Sequence, residues 1–357
     1  NINLGGALAN LWAIPYVSLS VALFPITLPL SWLFSEMAWL FDRWSDLFCL
    51  GLSVHDSVKL QGRWPAVSHW TVLSAVLGIL LLWLPLHLRW FGLLFCLPML
   101  AMGPSYNDPG RFEVRVLDVG QGQSIIIQTD GNTLVYDLGA RSRSGWMVAH
   151  TTLIPTLKDH AVDRVDLITS HSDIDHVGGL NALKESVMID RWYSGQPDIT
   201  GGDQCSHTLW KSNNVNFEIF SLPNASNDND QSCVLHIDNE VCSLLIAGDL
   251  SANAEAELLQ RFDIEPLTWL VLSHHGSQSS TSGYWLDRLS PKAAIVSRGR
   301  FNRFNHPSDA VVNRVTARDI PLFDTAYEGE IYLSASLSGC DVNTFHALFK
   351  RYWHDTD

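Results

Sequence analysis

Four side chains able to bind a metal fall within six consecutive residues: His171, Asp173, Asp175 and His176, in the run Ser170-His171-Ser172-Asp173-Ile174-Asp175-His176-Val177-Gly178-Gly179. Two carboxylates and two imidazoles buried together without cations would leave unpaired charge costing several kcal/mol, on the order of what an isolated buried ion costs. Divalent metals remove that cost, so the cluster reads as a dinuclear centre on a loop leaving a strand. The strand is the apolar run Val165-Asp166-Leu167-Ile168-Thr169 immediately before it. Two further apolar runs end in the same way: Cys242 to Ala247 leads into Gly248-Asp249, and Leu267 to Leu272 leads into Ser273-His274-His275-Gly276-Ser277. A lone Gly-Asp is usually a turn, and a lone His pair is usually a surface feature. Ligands at the same ends of neighbouring strands, however, can converge on one cleft.

The elements that must position these clusters alternate as in an α/β domain. Short strands are expected at Phe112 to Leu117, Ser124 to Gln128 and Thr133 to Tyr136, separated by the turn signals Gly120-Gln121-Gly122 and Asp130-Gly131-Asn132. The pattern predicts a helix over Trp146 to His160, a buried strand over Arg164 to Thr169 and a helix over Val177 to Lys184. After a polar stretch, Cys233 to Ile237 and Cys242 to Ala247 read as a hairpin-like pair. A helix capped by Ser251 then runs to Phe262. A strand at Ala293 to Ser297, a helix from Pro307 and strands around Ile320 and Ile331 follow.

Residues 1–105 are different, with few charges and long apolar runs. Leu11 to Phe34, His69 to Leu86 and the shorter Trp90 to Met102 approach or reach the roughly 20 residues that cross a bilayer core. A soluble core that hydrophobic would need a much longer chain to cover it. Tryptophans crowd this region, as where rings sit at a lipid–water boundary. Glu36 to His55 has the spacing of an amphipathic helix lying on the membrane surface. Pro15, Pro25 and Pro29 interrupt the first run in a way tolerated where neighbouring helices satisfy the freed carbonyls. With Asn1 first and no signal peptide, the chain reads as the end portion of a longer polytopic protein. Arg89 in the turn His87-Leu88-Arg89 favours a cytoplasmic turn, which would place the globular part outside the cytoplasm, in the periplasm of a double-membrane bacterium. An oxidising compartment would permit disulfides among Cys205, Cys233, Cys242 and Cys340. Cys205 with Cys233 is the preferred pair, because both edge a polar insertion that a cross-link would tether; buried free thiols are the alternative.

The formal net charge of -14 excludes bulk attraction to nucleic acid. Any such affinity must be local. Arg298-Gly299-Arg300-Phe301-Asn302-Arg303-Phe304-Asn305-His306 interleaves three Arg with two Phe, and this combination suits phosphates and bases of an unstructured strand; a solvated loop with incidental Arg is the plainer reading. Metals would add positive charge at the cleft itself.

The order His-x-Asp-x-Asp-His-x-Gly-Gly, Gly-Asp, His-His-Gly-Ser resembles the metallo-β-lactamase superfamily. More narrowly, Asp118-Val119-Gly120-Gln121-Gly122-Gln123-Ser124 and Asn305-His306-Pro307 resemble the ComEC family of DNA-uptake competence proteins. Ala9-Asn10-Leu11-Trp12-Ala13-Ile14-Pro15 is similar to the closing part of that family's membrane competence domain. The resemblance implies a metallo-β-lactamase-like αββα sandwich (110–340) after transmembrane helices (1–105), with a tail at 341–357. It implies an inner-membrane channel that takes single-stranded DNA into the cytoplasm during transformation, working with membrane lipid and other uptake proteins. The lactamase-like domain would hydrolyse phosphodiester bonds of the strand left outside, using a two-metal-activated hydroxide.

Carried onto this chain, His171, Asp173 and Asp249 would hold one metal. Asp175, His176, Asp249 and one of His274 or His275 would hold the other, with His275 assigned as the ligand. Asp175 would orient the hydroxide, and His274 or His306 would donate a proton or hold a phosphate oxygen, although His306 also reads as a plain residue before a helix. Arg298, Arg300, Arg303 and Gln121 would bind substrate. Asp173 stands where the wider superfamily has a second His, and Asn229 and Ser232 lie about where its third ligand segment is expected. Carboxylate for imidazole hardens the site and shifts preference toward manganese or magnesium, with zinc still open. Two other readings stand beside this one: a conducting membrane protein with a catalytically idle cap, and a small ester, lactone or thioester hydrolase.

Overall fold

Strands whose two faces are both covered read as continuous apolar runs, and this chain builds a sandwich from such strands. The computed structural model describes residues 12–23, 25, 39, 42–51, 69–82, 90–95 and 108–349, divided between two units, Asn1–Ser105 and Tyr106–Asp357.

In the second unit the strands are β1 (Phe112–Val116), β2 (Ile125–Thr129), β3 (Asn132–Tyr136), β4 (Arg164–Thr169), β5 (Met188–Ser194), β6 (Asp203–Gln204), β7 (Thr208–Ser212) and β8 (Val215–Phe220). They continue as β9 (Val234–Asp238), β10 (Ser243–Ile246), β11 (Trp269–Val271), β12 (Ala293–Val296), β13 (Leu322–Asp324), β14 (Ile331–Ser336) and β15 (Gly339–Thr344). One sheet has eight strands in the order β15-β14-β1-β2-β3-β4-β5-β6; the other has seven, β13-β12-β11-β10-β9-β8-β7.

Period-two alternation sorts each strand's side chains between layers. Ile125 and Ile127 point between the sheets with Phe217, Leu235, Leu244 and Trp269. Ile126 points outward, where Val135 and Leu167 meet Leu153 and Leu157 of the helix Leu153–Asp159 and Leu183 of the helix Leu180–Ser186. On the other outer face, Leu245, Leu270 and Val296 are covered by Leu258, Trp285 and Val311 of the helices Ala252–Arg261, Gly283–Leu289 and Asp309–Thr316. The result is an αββα sandwich with three apolar layers. Ser251, Ser282 and Ser308 cap those three helices by accepting from Ala254, Trp285 and Val311 amides.

Several expectations are corrected. The helix expected over 146–160 is a short 3-10 turn at Val148–His150 followed by Leu153–Asp159, because Trp146 belongs to a chain reversal preceding it. The helix behind the metal loop is split at Gly178-Gly179 into Ile174–Val177 and Leu180–Ser186. Pro307 precedes the last long helix, which begins at Asp309. The boundary drawn at residue 340 cuts β15, whose Asp341 to Thr344 pair with β14 and so belong to the sheet rather than to a tail.

Two disulfides cross between the sheets, Cys205–Cys233 and Cys242–Cys340, with Cα atoms 5.8 and 5.7 Å apart. Cys205 follows β6 at one edge of the eight-stranded sheet, and Cys340 lies in β15 at the other.

In the first unit, residues 12–23, 42–51 and 90–95 are helical, as is His69–Leu82. Among the described residues no helix is long and apolar enough to cross a membrane. Ile14, Val21, Leu47, Leu80, Trp90 and Leu94 are exposed on these helices. The remainders of the apolar runs, Pro29, the turn His87-Leu88-Arg89, Ala9-Asn10-Leu11 and residues 350–357 lie outside the described residues.

Candidate metal centre

β3 and β4 run parallel in one sheet, and β10, β11 and β12 run parallel in the other. The segments that leave their carboxyl ends bring together Asp137, His171–His176, Asp249, His274–His275 and Ser297–His306. The expected convergence of three strand tips is therefore observed, with two more tips contributing.

Asp249 lies at the centre, nearly buried. Its Oδ1 is 3.3 Å from His176 Nε2 and 3.7 Å from His275 Nε2, and His275 Nε2 is 3.6 Å from Asp175 Oδ2. Its Oδ2 is 3.5 Å from His274 Nε2 and 3.9 Å from His171 Nε2, and His171 Nε2 is 3.5 Å from Asp173 Oδ2. The carboxylate thus divides two ligand sets: Asp175, His176 and His275 at one oxygen, His171, Asp173 and His274 at the other. Atoms of His171, His176 and Asp249 lie within 4.8 Å of one another, as do those of Asp175, His176 and His275. His171 Nε2 and Asp249 Oδ1 are buried without a hydrogen-bond partner. Orphaned polar atoms of this kind are costly unless something fills the space between them, and hard oxygen and imidazole donors suit a divalent cation.

Of the supporting residues, the sequence singles out only Ser232 and Asn229, and as positions near a ligand segment. Asp137 accepts from His176 Nδ1 at 2.7 Å and from the Ser170 amide and hydroxyl at 2.7 and 2.8 Å. His275 Nδ1 donates to Ser297 O at 2.8 Å. In both rings Nδ1 carries a proton, so Nε2 is the atom that faces the cleft and would bind a metal once its own proton is displaced. Ser232 does not ligate; its hydroxyl accepts from the Asp249 amide at 3.2 Å and donates to Asn229 O. Gln196 Oε1 accepts from the Ser172 amide at 2.8 Å and fixes the metal loop from the far side. The signal for Asp137 was present, since it too stands where an apolar strand meets a polar residue.

Backbone geometry aims the pair of histidines. His274 and His275 have φ of 51° and 54°, a left-handed conformation that side chains rarely adopt and that persists only where surroundings enforce it. Here the His274 amide donates to Gly248 O at 2.9 Å, locking the two ligand loops together. Gly122 of the Gly-Gln-Gly turn is required for the same economy of space, because a Cβ there would lie 2.2 Å from Asp175 O.

Electrostatics follow from burial against mutual attraction. Burial works to lower the His176 pKa, but the Asp249 and Asp137 carboxylates overcome it and hold the ring well above its ordinary value. His275 is raised against the same burial by Asp249 and Asp175. Burial works to raise Asp249 and Asp175, yet the neighbouring imidazoles hold both below the usual carboxylate range. His274 and His306 are lowered, chiefly by burial.

The expected substrate residues separate. Arg298 is 7% exposed, with Nε and Nη2 both donating to Asp324 and the guanidinium over Tyr327. Its charge is paired within the fold, which anchors the loop, and it also lines the groove beside it. Arg300 and Arg303 lie over Phe301 and Phe304, and Phe301 is 93% exposed. A groove of about 1100 Å³ runs among Arg300, Phe304, His306, Gln278 and Tyr327. It meets the metal cleft where the His306 ring stands edge-on to His274 at 5.8 Å and stacks on Phe304 at 5.6 Å. Gln121 is half-buried with Oε1 unpartnered, and its amide lies against Gly299 of this loop.

Residues 117–200 match the family model "Metallo-beta-lactamase superfamily". Competence protein ComA of Neisseria gonorrhoeae is 34% identical over 286 residues, 78% of this chain and 40% of that protein. Uncharacterized protein YcaI of Escherichia coli is 29% identical over 375 residues, 99% of this chain and 48% of that protein. Recombination protein 2 of Haemophilus influenzae is 31% identical over 278 residues, 74% of this chain and 34% of that protein. The chain therefore spans between 34% and 48% of the length of these curated relatives. Taken with the sandwich and its strand-tip cluster of Asp and His, the matches show that the chain belongs to the ComEC family of competence proteins and carries a domain of the metallo-β-lactamase superfamily.

Proposed function

We propose that this chain is part of a DNA-uptake protein of the bacterial inner membrane, and that its cleft hydrolyses phosphodiester bonds of the single strand that is not imported. The observation that carries this reading is Asp249, whose two oxygens face two separate Asp/His sets beside a groove edged by Arg300, Phe304 and His306. His171, Asp173 and His274 would hold one divalent ion and Asp175, His176 and His275 the other, with Asp249 shared. Two such ions would supply an activated water at neutral pH and neutralise charge on a phosphoryl oxygen. Manganese fits this carboxylate-rich set best, with zinc and magnesium as alternatives.

The chain's own groups do the rest. Asp137 and Ser297 fix the tautomers of His176 and His275, so that no ligand must turn when substrate arrives. Asp175, held ionised, orients the attacking water. His306 is neutral near pH 7, and added cations would lower it further, so its role is to hold a phosphate oxygen rather than to supply a proton. Arg300 and Arg303 pair with phosphates while Phe301 and Phe304 stack on bases.

The exposed apolar helices of residues 1–105 support burial in membrane lipid, where the conducting path would be completed by the remainder of the protein and other uptake components. Two disulfides support a periplasmic location for the sandwich. The deciding assay incubates the purified chain with end-labelled single strands and a panel of divalent ions. Metal-dependent cleavage that is abolished in Asp175→Ala and His176→Ala is expected. Equal cleavage by parent and variants would refute the assignment, and a parent inert with every ion would leave the conducting role alone.

A further inference from the structure

The eight-stranded sheet carries a basic reversal of its own beside the metal loop. Arg141 and Met147 form an isolated antiparallel bridge; the Ser142 amide donates to Trp146 O at 2.8 Å, and the Trp146 amide donates to Ser142 Oγ at 3.1 Å. This ordered turn presents Arg141, Arg143 and Trp146 outward, with Trp146 53% exposed. It abuts the metal loop directly, because the Arg141 amide donates to Ile174 O at 3.3 Å and Ile174 stands between Asp173 and Asp175. Arg141, Ser142, Arg143, Gly145, Met147 and the exposed Ile174 line a depression of about 390 Å³.

Two features have no structural explanation. Arg115, Arg164 and Arg191 of the same sheet each have a carboxylate partner, as does Arg111 just before β1, whereas Arg141 and Arg143 have none among the described residues. The large indole of Trp146 is exposed and belongs to none of the apolar layers, so its exposure costs apolar hydration without any packing in return. The turn also has a counterpart. The Arg300–Phe304 loop leaves β12 of the seven-stranded sheet, and this one follows β3 of the eight-stranded sheet, with the metal loop and the Gly-Gln-Gly turn in the series of contacts joining them. Asp175 O receives the Gln123 amide at 3.2 Å, and Gly122 O receives the Ser297 hydroxyl at 2.8 Å.

We propose that Arg141, Arg143 and Trp146 form a second nucleotide subsite for single-stranded DNA, across the scissile bond from the Arg300–Phe304 side. The occupant must be anionic to match two unpaired guanidinium groups and must carry flat apolar groups to match the indole. A strand already drawn over the adjoining cleft meets both demands. The proposal rests on the phosphodiesterase reading for what lies between the two subsites, but strand binding at this turn needs no turnover.

Binding of a fluorescent oligothymidylate to the purified chain, measured by anisotropy in EDTA over a salt series, tests it. The double variant Arg141→Gln/Arg143→Gln is expected to bind about tenfold more weakly at low salt. Its slope of log K against log salt should flatten by about 1.4, from about 0.7 per single-strand phosphate contact. Trp146→Ala should weaken binding by about tenfold at every salt and leave the slope alone. Arg141→Lys/Arg143→Lys should restore the slope. An unchanged dissociation constant and slope in the Gln double variant, at the parent's thermal midpoint and metal content, overturns the subsite, as does a parent that binds no strand. A parent that binds through these residues but cleaves no phosphodiester keeps the subsite and overturns the phosphodiesterase reading.

Discussion

Ile168 and His171 are both fully buried and lie three residues apart on one strand and its exit loop. Ile168 packs between the sheets against apolar side chains and leaves no polar atom behind. His171 keeps a buried nitrogen with no partner. The core layer gains roughly 25 cal/mol per Å² of apolar area removed from water, a contribution indifferent to protons and metals. The cleft is the reverse: six Asp and His side chains around Asp249 are tolerable only with protons or cations shared among them. Stability and chemistry are therefore separable in this domain even where they touch.

Four measurements sharpen or break that contrast. The largest effect belongs to the core. Trp269→Ala should lower unfolding stability by about 3–5 kcal/mol, by the same amount with and without divalent metal in urea titrations; a metal-dependent loss would mean that core and cleft are coupled. Next comes the anchored arginine. Arg298→Gln leaves the partly buried Asp324 without its cation, with only the Ala326 amide still donating to it, and should cost about 1–3 kcal/mol, whereas Arg300→Gln and Arg303→Gln should stay within about 0.5 kcal/mol. Equal effects at all three positions would erase the distinction between anchor and free cation.

The smallest effect is on the cleft's pH response without metal. His176 and His275 are raised, so their contribution is complete below pH 6.5 and is lost as pH climbs through their folded values. Asp249 and Asp175 are lowered, so theirs is complete above pH 3.8 and is lost as pH falls through their folded values. The metal-free chain should be most stable between those limits. Divalent metal should move the optimum upward, because it displaces the imidazole protons. Asp249→Asn should abolish metal loading, measured by elemental analysis, and flatten the metal-free profile; a variant with parental metal content would remove Asp249 from the centre.

Sequence patterning revealed the buried half of this molecule well. β4 matches its expected limits, because Val165, Leu167 and Ile168 form an apolar run and the metal loop ends it. β5 went unread for the opposite reason. Its Asp190 and Arg191 pair with Arg164 and Asp166 of β4, so charge pairs replace the alternation a strand normally shows. The ligand clusters were legible because each interrupts an apolar strand. The same grouping of His171 with Asp173 and of Asp175 with His176 and His275 is read from the sequence; the place of His274 beside His171 and Asp173 is not, since it depends on two left-handed backbone positions that no pattern encodes. The ion pair of Arg298 went unread because its partner, Asp324, lies on a neighbouring strand and is distant in sequence.

The two inter-sheet cross-links have a mechanical consequence. They lace both outer margins of the larger sheet to the smaller one, closing stretches of 28 and 98 residues. Cys233 is also tied to the metal loop: its amide donates to Ser170 O at 3.0 Å. Ligands drawn from facing sheets are held at fixed spacing only while the sheets cannot slide, so a thiol reductant could widen the jaws of the cleft without touching any ligand.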